Sequence, residues 1–123
     1  MKKVDIAFAI VVIGLGILHC TGSAFNASTG HLTASAWEFS GGLFTILVGA
    51  VNLLRIRYGA IAAGVRWVSA GASVSMLGLG VVLAGALGMA HHMHSIGVIL
   101  VVLVETVFSF LPPRPQARAA AER

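Results

Sequence analysis

The sequence predicts an all-α membrane protein: a four-transmembrane-helix bundle, N-in/C-in. Three observations carry this expectation. Of the 123 residues, 58% are hydrophobic and 10% charged, whereas soluble domains carry roughly 25% charge. Four apolar stretches each approach the roughly 20 residues that a helix needs to cross a bilayer. All eight Lys and Arg residues fall on one side of a four-span path.

The first span is expected over 4–22, after Lys2 and Lys3. A basic start before an apolar run also suits a signal peptide, but the segment reads best as a retained first span. The second is expected over 35–54, with Ser35 as N-cap and Glu38, three residues on, as its capping-box partner. The third covers 67–89, and the fourth 94–111, where Pro112 and Pro113 end it. Residues 1–111 therefore form one membrane domain, and 112–123 a short basic cytoplasmic tail. Residues 23–34 and 55–66 are read as loops, the latter with partly helical structure extending the third span as the alternative, and the connection around His91–His94 as a near-tight turn. A barrel is excluded, because the stretches are too long for barrel strands and lack period-two alternation.

Orientation follows from the basic residues. Lys2 and Lys3 precede span one; Arg55, Arg57 and Arg66 lie between spans two and three; Arg114, Arg118 and Arg123 follow span four. The positive-inside rule puts these segments in the cytoplasm, as in a multi-pass protein of a bacterial inner (plasma) membrane. The net charge of +4 then reflects topology and contact with anionic membrane lipids, and nucleic acid is not an expected partner. Cys20 is the only cysteine, so no intramolecular disulfide forms.

Small residues recur at heptad spacing. The third span has Gly64, Gly71, Gly78 and Gly85; the second has Ser35, Gly42 and Gly49; the first has Ala7, Gly14 and Thr21. Such seams let helices approach closely in lipid, where packing drives association. They point to a bundle and, given the small interior of four helices, to a homo-oligomer or a larger membrane complex.

Titratable residues are few, and all five histidines fall on the expected outer side. His19 closes span one, Glu38 opens span two, and His91 and His94 lie where span three gives way to span four. These four are the candidate metal ligands, with His31 from the loop and Cys20 as possible additions. Imidazole and carboxylate suit transition metals, and two opposed histidines in a bundle can hold haem iron. The competing reading is a polar rim capping helix ends. Glu105 is a second anomaly, about 9 Å of helix from the inner end of span four. An ionisable residue at that depth faces the bundle interior. It reads as a proton- or ion-coupling carboxylate, a partner of Arg66, or a contact to another subunit. Asp5 is expected to cap the first helix. Hydrolase, nucleotide-binding and dinucleotide-binding motifs are absent from the sequence, and no enzymatic activity is expected.

The histidine closing span one, Trp37-Glu38-Phe39-Ser40-Gly41-Gly42 opening span two, and Gly49 with Asn52-Leu53-Leu54 closing it resemble small four-helix bacterial membrane proteins of the loosely defined DoxX-like group. The resemblance covers spans one and two and implies an accessory or redox-associated membrane subunit. The leading expectation is thus a small membrane subunit or binding protein holding a metal ion or haem at its outer helix ends. The alternatives are a proton-coupled small transporter or channel using Glu105, and a purely structural packing subunit.

Overall fold

A computed structural model describes residues 2–30, 32–88 and 93–111, without the side chains of Lys2, Thr33, Met93 and His94. The chain folds into four helices: α1 (Lys2–Ser28), α2 (Leu32–Tyr58), α3 (Ala63–Ala86) and α4 (Met93–Phe110). Three of them are long and apolar enough to cross a membrane: α1, α2 and α3; the described apolar part of α4, Ser95–Phe110, is shorter. Large apolar side chains cover the outside, among them Leu18, Trp67 and Val82, each more than 60% exposed. The largest fully buried side chains include Arg55, Glu105 and Asn52. This inversion of the soluble pattern is what lipid as the surrounding solvent requires.

The helices are longer than the apolar stretches, and the reason is local. α1 continues past residue 22 because its hydroxyls bond back along the helix. Thr21 donates to the Ile17 carbonyl at 2.9 Å, Ser23 to His19 at 2.8 Å, and Ser28 to Phe25 at 2.6 Å. Residues expected to form a loop are thereby satisfied without leaving the helix. The chain turns only at Thr29–Gly30, where Gly30 adopts φ +100°, a region that glycine enters without steric cost. The capping box at Ser35 does not form. α2 already starts at Leu32, which places Ser35 inside the helix and buries it against the bundle. α2 likewise runs through Arg55 and Arg57 to Tyr58, which leaves a short corner in place of the expected 55–66 loop. Gly59 is essential to that corner: a Cβ there would lie 2.5 Å from the Arg55 carbonyl oxygen.

Each helix packs on its chain neighbours, and α4 returns to α1, so the four close a ring. The most extensive contact is α1 against α2, and small residues make it possible. A Cβ on Gly16 would lie 2.8 Å from the Gly42 carbonyl oxygen, and one on Gly49 would lie 2.9 Å from the Ala9 carbonyl oxygen. The Ser35, Gly42, Gly49 series is buried along this contact. Its counterpart on α1 is Ala9, Gly16 and Ser23, two residues out of register with the expected Ala7, Gly14 and Thr21. The α3 glycines behave differently. Gly64, Gly71, Gly78 and Gly85 are exposed, and a Cβ on any of them would meet nothing within 4 Å. Within one chain no helix uses that seam.

Candidate functional site

Two features share the interior, one at each end. The end holding Lys3, Arg55, Arg57 and Arg66 is the basic end. There the polar residues of all four helices converge. Arg55 Nη2 donates to Asp5 Oδ1 at 2.6 Å, and Arg55 Nε to Asn52 Oδ1 at 3.2 Å. Ser69 Oγ donates to the same Asn52 oxygen at 2.6 Å, while Asn52 Nδ2 donates to Ser73 Oγ at 3.0 Å. Thr106 Oγ1 donates to the Val102 carbonyl at 2.7 Å and to that of Ser73 at 3.3 Å. The network therefore links α1, α2, α3 and α4 in a single layer. Phe8 and Phe108, ring centroids 5.8 Å apart, close α1 on α4 beside it.

Glu105 lies in this layer. It is 1% exposed, and neither carboxylate oxygen has a hydrogen-bond partner among the described residues. The charges that act on it are those of Asp5 and Arg55. Arg66, the partner expected from sequence, forms no ion pair with it among the described residues. The reason is geometric: α2 continues as helix past residue 54, so Arg55 stays in the bundle and turns inward. Asp5 is engaged by Arg55 across the α1–α2 contact and does not act as a helix cap.

The opposite end opens into a cavity of about 920 Å³. All four helices line it, and most of the lining is aliphatic. His19 and Glu38 lie on its wall at the α1–α2 side, with Ser23 and Asn26 nearby. The His19 imidazole sits over Gly41, its Nε2 3.8 Å from where a Cβ would stand. On α4 the cavity reaches Val101, one helical turn or about 6 Å short of Glu105. Val12, Val48 and Val102, all essentially buried, fill the layer between.

The structure thus brings two of the candidate metal ligands, His19 and Glu38, to one cavity. His31 and His91 lie outside the described residues, as does the side chain of His94. Among the described residues, no group of three His, Cys, Asp or Glu side chains could hold a metal ion. Cys20 belongs to the helix contact: its Sγ donates to the Phe39 carbonyl at 3.6 Å, and a Cβ on Gly42 would lie 2.5 Å from it. The residues missed from sequence are Arg55, Asn52, Ser69 and Ser73. A signal for them existed: Asn52 and Arg55 are three apart, and Ser69 and Ser73 four apart, each pair on one helix face. Comparison with protein-family models, curated proteins and solved structures finds no match to this chain.

Proposed function

We propose that this chain is a small membrane carrier, without enzymatic activity, whose end cavity receives a solute and whose Glu105 carries a proton. The observation that supports this most directly is the position of Glu105. It is a fully buried carboxylate without a hydrogen-bond partner among the described residues, one turn beyond the cavity floor. Burying a carboxylate unpaired is costly while it is charged, and intramembrane carboxylates of this kind serve as proton relays. Arg55, already engaged by Asp5, supplies a counter-charge that a second carboxylate can share.

In this reading α4 crosses the membrane with the other three helices. The basic end and both termini face the cytoplasm, by the positive-inside rule, and the cavity opens to the outside of a plasma membrane. The unoccupied glycine seam of α3 favours association with a second copy or with another membrane subunit. A metal or haem subunit is less well supported, because among the described residues only His19 and Glu38 of the expected ligands reach the cavity and no group of three ligands forms.

The test uses proteoliposomes loaded with a fluorescent pH indicator and challenged with apolar cations, anions and neutral solutes in turn. The expected result is a solute-dependent change in internal pH with the wild type that falls at least tenfold in Glu105→Gln. The reading is overturned if the response persists in that variant, or if no solute class produces one.

A further inference from the structure

We infer that the cavity is a binding site for a lipophilic organic cation, with Glu38 as the residue that selects for positive charge. This deepens the carrier reading and rests on its cavity. Three observations converge on it. At about 920 Å³, the cavity lies in the range that holds drug-sized ligands, roughly 300–1,000 Å³. Its wall is dominated by aliphatic side chains such as Leu15, Leu79 and Leu83, which favour an apolar body. Among the described residues lining it, Glu38 is the one carboxylate, and no Lys or Arg is present.

The charge asymmetry decides between ligand classes. An anion would meet Glu38 with no Lys or Arg on the described wall to offset it. A neutral apolar molecule would leave the carboxylate unused at the edge of an apolar surface. Among the described residues Glu38 makes no ion pair or hydrogen bond. The basic residues cannot compete for the ligand site, since Lys3, Arg55, Arg57 and Arg66 are gathered at the opposite end. His19, over Gly41, adds an imidazole to the same wall as Glu38. A delocalised cation presents weakly hydrated charge to both. The apolar wall then contributes most of the affinity and Glu38 the sign selectivity.

The test compares two ions of the same shape and opposite charge, tetraphenylphosphonium and tetraphenylborate. Binding is measured to detergent-purified protein on a solid support, with empty micelles subtracted. Wild-type protein is expected to bind the cation saturably. Glu38→Gln is expected to weaken cation binding about fivefold to tenfold, the effect of one unit charge in a partly solvated site, and to leave the anion unchanged or improved. Gly80→Leu, which places a side chain into the cavity where only Ile99 stands near, at 4.0 Å, should reduce binding of both ions. The assignment is overturned if Glu38→Gln changes cation binding less than twofold, or if both ions bind the wild type alike. It is also overturned if Gly80→Leu, folded by circular dichroism, binds the cation as well as the wild type. Failure here is separable from failure of the carrier reading. A proton response to neutral solutes that Glu105→Gln abolishes would keep the carrier and reject the cation site. Saturable cation binding with no proton response would do the reverse.

Discussion

Replacing Arg55 by methionine tests the physical core of this structure. Methionine keeps the length and apolar stem but removes the charge and its donors. Asp5, whose side chain is only 15% exposed, would lose its 2.6 Å partner. Breaking a buried ion pair by removing one member costs about 3–5 kcal/mol, chiefly because the other charge is left uncompensated. Asn52 Oδ1 would keep Ser69 but lose the Arg55 Nε donor, which adds about 1 kcal/mol. The total, about 4–6 kcal/mol, is a large part of the roughly 5–15 kcal/mol that holds a typical fold together. Glu105 gives the sign check. In the wild type its oxygens have no hydrogen-bond partner to lose, so Glu105→Gln should be neutral or mildly stabilising. In the Arg55→Met background, Asp5 and Glu105 lose the cation that acts on both, and Glu105→Gln should recover part of the lost stability by removing their repulsion. Unfolding of the four proteins in mixed micelles by titration with a denaturing detergent, followed by helical circular dichroism, measures all of these. The reasoning is refuted if Arg55→Met costs less than about 1 kcal/mol, or if Glu105→Gln makes that variant less stable still.

Two further expectations concern packing and topology. Gly42→Ala and Gly71→Ala make the same chemical change in two helices that differ only in what surrounds the glycine. The first drives a methyl to 2.5 Å from Cys20 Sγ and should lose about 1–3 kcal/mol in the same unfolding assay. The second meets nothing in its own chain and should be neutral or gain up to about 1 kcal/mol from helix propensity; a shift toward monomer on sizing would show that a second copy covers the seam. For topology, in a Cys20→Ser background a membrane-impermeant maleimide added outside whole cells should label Asn26→Cys and spare Arg57→Cys, and the opposite pattern would reverse the orientation.

The sequence made the helical bundle legible because apolar run length and lipid solvation leave few alternatives. It also placed Glu105 in the interior, since a lone carboxylate in an apolar stretch has nowhere else to go. Other features depended on facts that composition does not hold. Whether Ser23 and Ser28 end a helix or extend it depends on where their hydroxyls point, and here they point back to carbonyls one turn earlier. Charge counting treated Arg55 as a topology marker, because its inward rotation exists only once α2 continues past residue 54. Heptad glycines looked alike in α2 and α3, yet only those of α2 meet a partner helix in the chain. A small-residue seam marks a surface able to pack closely; what covers it is set by the other helices.

The unequal contacts suggest how such a bundle would work as a carrier. α1 and α2 approach to backbone contact at Gly16, Gly42 and Gly49, and in this reading they would move as one body. Against α3 and α4 that body is held mainly at the basic end, through Asn52 to Ser69 and Ser73 and through Phe8 to Phe108. At the other end the two helix pairs are separated by the cavity. A rocking motion of one pair against the other would therefore be resisted most at the polar layer, where the pairs are in contact. Opening toward the basic end would then have to break bonds made by Asn52, and with Asn52 disturbed, Arg55 would lose one of its two acceptors. Glu105 feels the charge of that guanidinium and would be its alternative partner. Its charge would stabilise the state in which Arg55 has turned away from Asn52, and a proton on it would favour the closed layer. In the carrier reading the proton and the polar layer would thus act on the same residue, Arg55, which is the physical requirement for coupling one to the other.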